Sequence, residues 1–264
     1  MTKRLRLSML LALLSFSMLA NAGELRLSRT LSDNAVLQCE KPVTIRGFAD
    51  KGAKVTVTFS GQAKDTKADE NGEWTVTLAP MKANAKGQEL TATSSIGNQT
   101  SSISNVQIGD VFLFARQATI DISLGRDNAG KKAATDVSSV RVMSVKTIPA
   151  YDPQQDLAEE STSGWTVLSK EAGLKMDAAA FYMARDLAKQ TDVPIGIIDI
   201  NLGRHFPIGW MSREALLKTK EIFGETAGQV DTVIKIMAEH KVWSETPDHP
   251  KTRRHGYPLP PAKE

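Results

Sequence analysis

Gly109-Asp-Val-Phe-Leu-Phe114 is the stretch on which the reading of this chain turns. Val111 to Phe114 is a compact apolar run of the kind found in strands buried on both faces. Before it, residues 24–108 carry short runs in which apolar and polar residues alternate: Val43-Thr-Ile-Arg-Gly-Phe48, Val55-Thr-Val-Thr-Phe59 and Trp74-Thr-Val-Thr-Leu78. Alternation of this kind marks half-buried strands. Leu90–Thr93 and Ile103–Val106 continue the pattern, and Asn71-Gly72 ahead of Trp74 predicts a type I′ hairpin turn. Some seven or eight strands in about 85 residues predict a small antiparallel β-sandwich.

After Gly109 the texture changes. Val140–Val145 and Ile195-Gly-Ile-Ile-Asp-Ile200 read as further buried strands. Residues 177–190 have helical spacing, with Ala180, Phe181, Ala184 and Leu187 on one face. Ser212 is placed to cap a helix running through Leu217, and Val230, Val233, Ile234 and Met237 predict a last helix. Strands alternating with helices predict an α/β layer with parallel strands, of which three are visible. The expected class is therefore a multi-domain α+β protein. A β-sandwich over 23–108 precedes an incomplete α/β domain over 109–246. A Pro-rich tail over 247–264 contains Pro247, Pro250, Pro258, Pro260 and Pro261.

The first 22 residues read as a secretory signal. Lys3, Arg4 and Arg6 precede the apolar stretch Met9–Leu19, and Ala20-Asn21-Ala22 is a small-x-small cleavage signal. The apolar run is too short for a membrane span, which needs about 18–20 residues. Export to the periplasm or medium, with a cut after Ala22 and no remaining membrane anchor, is the expectation. Removing three of the 33 basic residues leaves 30, against 30 acidic ones. A balanced mature chain offers no electrostatic footprint for nucleic acid. Cys39, the single cysteine, sits among Val36, Leu37 and Val43 and reads as a core residue. His205, His240 and His255 lack metal-ligand spacing, and neither metal nor cofactor is expected.

Three segments carry a resemblance. They are Ser32-Asp-Asn-Ala-Val-Leu-Gln38 with Lys41-Pro-Val43 and Gly47; Ile103–Leu113; and Val193-Pro-Ile-Gly-Ile-Ile-Asp199 with Gly203, Trp210 and Ser212-Arg-Glu-Ala-Leu216. Together with the helix around Ala180–Leu187, they resemble the sialate O-acetylesterases, secreted serine esterases that remove acetyl groups from sugars. The resemblance runs in order from about residue 25 to residue 262. It implies an N-terminal β-domain followed by an SGNH-hydrolase-like α/β domain.

The catalytic part of the resemblance departs from the family. Where those enzymes show Gly-Gln-Ser-Asn-Met with serine as nucleophile, this chain shows Arg116-Gln117-Ala118-Thr119-Ile120. Alanine has no oxygen with which to attack an acyl carbon. Thr119 and Ser123 would each need to reach the same point with a base beside them. The family's Trp-Gly-Gly-Thr oxyanion segment is here Leu202-Gly203-Arg204-His205. Gln117 and Gly203 are the residual oxyanion or pocket candidates, while Arg116, Arg204, His205 and Trp210 are candidates for lining a cleft. The family's Asp and His lie further along than Glu264, and Asp248-His249 reads as a pair of solvated loop residues.

No catalytic residue is therefore expected to be intact. The sequence leaves three readings open. The first is an inactive exported relative that binds O-acetylated glycans or a partner enzyme. The second is an active carbohydrate O-acetylesterase using non-standard residues. The third is a truncated gene product.

Overall fold

The computed structural model describes residues 23–116, 122–148, 150, 154–201, 211–218 and 235. It separates the chain into two compact units. The first comprises residues 1–114, 122–146 and 156–200; the second comprises 115–121, 147–155 and 201–264.

In the first unit, β1 (Arg26–Leu27), β3 (Val43–Phe48) and β6 (Glu73–Leu78) form an antiparallel three-stranded sheet. Alternation explains the layer. Val43, Ile45, Trp74, Val76 and Leu78 are buried, while Thr44, Arg46, Thr75 and Thr77 face water. Opposite this face lie Val55, Val57 and Phe59 of β4 (Lys54–Phe59), Leu90 and Ala92 of β7 (Asn84–Ser94), and Ile103 and Val106 of β8 (Thr100–Arg116), in the same core. Each fully buried side chain of this size contributes roughly 1.5–3 kcal/mol. The predicted sandwich is thus present.

Asn71-Gly72 turns the chain differently from the expected type I′ geometry, which needs positive φ at both residues. Only Gly72 has it, at 79°. Gly72 N–H donates to the Asp69 carbonyl at 3.1 Å, and Asp69 Oδ1 accepts from the N–H groups of Asn71 and Glu73 at 2.9 and 2.8 Å. The Asp69 carboxylate supplies a local alternative that the dipeptide alone does not reveal.

The second sheet has eight strands. Along it run β10 (Trp165–Leu168), β9 (Val137–Val145), β11 (Ile195–Asn201), β8, β7, β4 and β5 (Gln62–Lys67), while β2 (Val36–Gln38) pairs with β8. β9 and β11 are parallel, from Val140↔Ile195 to Val145↔Ile200. β10 is antiparallel to β9 and too short to show periodicity in the sequence. β5 also escapes sequence reading, because Gln62-Ala-Lys-Asp-Thr-Lys67 has no apolar face. It is an edge strand held by backbone pairing to β4, with Thr56 Oγ1 and Lys54 Nζ both reaching the Asp65 carboxylate at 2.7 Å. Charged residues on such an edge discourage pairing with other chains.

A second core covers the other face of β9 and β11. Short helices α1 (Asn128–Ala133) and α2 (Lys170–Lys175) precede α3 (Ala178–Gln190). Asp177 caps α3, its Oδ1 accepting from Ala179 and Ala180 N–H at 2.9 and 3.3 Å. Ala180, Phe181 and Ala184 are buried in one cluster with Val140, Val142, Ile195 and Ile197, and Leu187 packs at its margin. This is the predicted helical face. In the second unit, α4 (Arg213–Lys218) starts where expected, with Ser212 Oγ accepting from Ala215 N–H at 3.1 Å. The predicted helix around Val230–Met237 and the Pro-rich tail lie outside the described residues, apart from Lys235, which is helical.

β8 runs unbroken through residues 108 and 109 and is not buried on both faces along its whole length. Val111 packs toward the sandwich core and Phe112 and Phe114 toward the helical one, but Leu113 is 60% exposed.

The loop after β9 is tied back by Asp156. Its carboxylate, 7% exposed, accepts from Arg26 Nη1 at 2.5 Å, Ser28 Oγ at 2.8 Å, and the backbone N–H groups of Arg29 and Leu157, each at 3.0 Å. Burial pushes its pKa up, but the bonds from Arg26, Ser28 and the two amides outweigh burial and hold it below the ordinary carboxylate value. A depressed folded value stabilises the fold fully above the unfolded value of about 4 and ceases to do so as pH falls through the folded one. Asp156→Asn should lower stability at pH 7 by about 1–2 kcal/mol, because the half-exposed Arg26 and Arg29 lose a carboxylate whose pull solvent partly screens. The gap from the parent should close on acidification below pH 4, as read by urea unfolding across pH.

Candidate functional site

Residues 33–38, 104–111 and 194–196, which belong to the three segments that carry the family resemblance, meet in the first unit. β2 lies parallel to β8, with Val36↔Gln107, Leu37↔Ile108 and Gln38↔Gly109. Further bonds extend this contact. Ser104 N–H and Oγ donate to Asp33 Oδ1 at 2.6 and 3.0 Å, and Asn105 Nδ2 donates to Asn34 Oδ1 at 2.7 Å. On the other side, Asp110 N–H donates to the Pro194 carbonyl at 2.9 Å, where the chain enters β11.

Two glycines make this convergence possible. A Cβ on Gly109 would collide with the Pro194 carbonyl, and one on Gly196 would meet Val36 and Trp165. Trp165 is itself fixed by its indole N–H, which donates to the Thr30 carbonyl at 2.9 Å, and by its backbone N–H, which donates to Ser32 Oγ at 2.8 Å. Residues 30–38 are thereby held to both β8 and β10.

Asp110 is the charged group at this junction. Its Oδ1 accepts from Gln38 Nε2 at 3.0 Å and from Cys39 Sγ at 3.4 Å, while Gln38 Oε1 accepts from Val111 N–H at 2.9 Å. Sequence reading places Asp110 in a family segment but misses this role, because Gln38 and Asp110 are 72 positions apart. Asp199, on β11, is also buried. Arg141, on β9, is buried too; its Nη1 donates to the Ser138 carbonyl at 2.7 Å, and burial lowers its pKa from the ordinary value.

β8 ends at Arg116, two residues before Ala118. Arg116 is half-buried and is the one candidate site residue among those described. Gln117, Ala118, Gly203, Arg204, His205 and Trp210 lie outside the described residues, as do Thr119, His240, His255 and Asp248-His249. Ser123 forms an isolated antiparallel bridge with Asp177 and precedes a 3-10 turn over Leu124–Arg126. In the second unit, Thr147 Oγ1 donates to the Asn201 carbonyl at 2.7 Å, joining the segment after β9 to the segment after β11. Among the described residues, no group of three His, Cys, Asp or Glu side chains is arranged to hold a metal ion. No helix among them is long and apolar enough to cross a membrane.

Among solved structures, the chain is similar to a carbohydrate acetylesterase from Xanthomonas citri, with 26% sequence identity and a TM-score of 0.66. The likeness covers 72% of this chain and 43% of that one. The chain has a carbohydrate-acetylesterase-like fold. It spans less than half the length of that enzyme. No protein-family model matches the chain, and no curated protein does. An immunoglobulin-like domain of the M. primoryensis ice-binding adhesin is 24% identical over 33% of this chain and 96% of its own, with a TM-score of 0.22. At that TM-score the likeness has no bearing on function.

Cys39, at the β2–β8–β11 junction, is 7% exposed and unbridged. Burial pushes its thiol up, and the hydrogen bond to Asp110 and that residue's charge push the same way. A thiol so placed is a poor nucleophile at neutral pH. Cys39 should react with iodoacetamide at pH 7.5 at least a hundredfold more slowly in the native chain than in urea. Comparable rates would contradict the buried placement.

Proposed function

We propose that this protein is an exported, catalytically silent relative of the sialate O-acetylesterases that retains affinity for O-acetylated glycans. The observation that carries the reading is Ala118, at the position where the resembling enzymes carry their serine. The esterase-like fold supports it, because β8 brings the chain to Arg116, the residue before the Gln-Ala pair that replaces Gln-Ser. Acyl transfer through a covalent intermediate requires an oxygen, sulfur or nitrogen nucleophile paired with a base. Losing the serine of such a triad costs about a millionfold in turnover, and what remains comes from binding and oxyanion contacts. Arg204 and His205 stand where the family has small oxyanion residues; they would crowd an acetyl pocket, and their polar side chains could instead line a cleft for a glycan. Export is part of the proposal and rests on the basic start, apolar stretch and Ala20-Asn21-Ala22 signal.

The purified protein should hydrolyse an aryl acetate no faster than its heat-denatured control, and a fluorophosphonate should label no serine in it. Ala118→Ser should stay within about tenfold of background, because Arg204 and His205 still replace the small oxyanion residues and members of such a site act as a unit. Calorimetric titration should show an O-acetylated sialoside binding more tightly than its de-acetylated form. Recovery of a covalently labelled serine in the parent chain would establish an active esterase instead. Equal or undetectable binding of both glycans would remove the glycan role.

A further inference from the structure

Gly23 is held in place at the start of the described chain. Its N–H donates to Asp50 Oδ1 at 2.5 Å, and its carbonyl accepts from Gln99 Nε2 at 3.5 Å. Leu25 N–H donates to Gln99 Oε1 at 2.5 Å, so one glutamine grips both sides of Glu24. Asp50 is held as firmly. It follows β3 in a turn whose ends are joined by Ala53 N–H donating to the Asp50 carbonyl at 3.0 Å, and Ala49 N–H donates to Gly72 at 2.9 Å.

The carboxylate of Asp50 is only half satisfied. Its Oδ2 is buried and has no hydrogen-bond partner, and among the described residues no lysine or arginine pairs with it. Neighbouring Lys51 is engaged by Glu70. A buried carboxylate oxygen without a donor is costly, and an ionised carboxylate accepts several hydrogen bonds. A peptide N–H at Gly23 supplies one proton and no charge. A terminal ammonium on the same nitrogen supplies three protons and the missing positive charge.

We propose that the mature protein begins at Gly23, and that the α-ammonium released there forms a fixed ion pair with both oxygens of Asp50. The inference rests on the export reading and gives it a structural consequence. In the processing step, water adds across the Ala22–Gly23 amide and the C–N bond breaks. Oxygen goes to the Ala22 carboxylate, and the nitrogen is protonated to the Gly23 ammonium. The peptidase of the export route supplies the catalysis. The cut then does more than discard a leader: it completes the partner set of a residue 27 positions away and anchors the first strand segment to the sandwich.

The test compares chains in which this nitrogen is a free ammonium or a peptide N–H. One begins with a free Gly23 after site-specific proteolysis, and the other retains Ala22 ahead of it. Each is made with Asp50 and with Asp50→Asn. The Gly23-first chain should melt about 2–4 °C higher than the Ala22-first chain. That gain should vanish in Asp50→Asn. Equal melting in the Asp50 background, or a gain that survives Asp50→Asn, overturns the ion pair. If Asp50→Asn does not fold, acylation of the amine by dilute acetic anhydride decides: at least tenfold protection in the native Gly23-first chain supports the pair, and equal rates in native and denatured chains overturn it. Intact mass of the product expressed with residues 1–22 is read separately. A start at Gly23 in the exported fraction supports the processing step, and a cut elsewhere overturns it. Retention inside the cell overturns export, while the melting comparison still judges the pair.

Discussion

One strand carries the architecture. β8, from Thr100 to Arg116, pairs with β7 of the sandwich through its first half, then with β2, and lies beside β11 in the same sheet. A strand shared in this way cannot slip by one residue without turning every buried side chain outward in both cores. Gly109 is the point of closest approach, because only a residue without Cβ lets the backbone pass the Pro194 carbonyl. The order of Val111, Phe112 and Phe114, alternating between the sandwich core and the helical core, depends on that passage.

Polar groups secure what apolar packing leaves loose. Gln38 and Cys39 meet Asp110, Ser32 meets Trp165, and the loop after β9 returns through Asp156 to Arg26 and Ser28. All these links join positions 70 or more apart. Each buried carboxylate is worth keeping only because donors surround it. Asp156 meets that condition with several, whereas the buried Oδ2 of Asp50 has none among the described residues.

The functional reading rests on a contrast between frame and chemistry. The frame is esterase-like, and residues 33–38, 104–111 and 194–196, all from segments with the family resemblance, meet in it. Where the resembling family carries Gly-Gln-Ser, this sequence reads Arg116-Gln117-Ala118. A strand scaffold can be preserved by packing alone, whereas catalysis needs one particular oxygen in one place. Under the proposed reading, the fold and the chemistry part company at a single position.

Much of the scaffold was legible in the sequence because its signals are local. Alternation at Val43–Phe48, Lys54–Phe59 and Glu73–Leu78, and the 3.6-residue face of Ala180, Phe181 and Ala184, are set by which side chains must leave water. The replacement at Ala118 is equally a property of the sequence, since no arrangement gives alanine a hydroxyl. Only the tertiary structure decided the rest. It joined Ile103–Val106 and Val111–Phe114 into one strand, recruited the polar segment Gln62–Lys67 as an edge, and added Trp165–Leu168 beside β9. It replaced the expected Asn71-Gly72 turn with one organised by Asp69 and left Leu113 facing water. These outcomes depend on hydrogen bonds and contacts between distant residues, which no local pattern encodes.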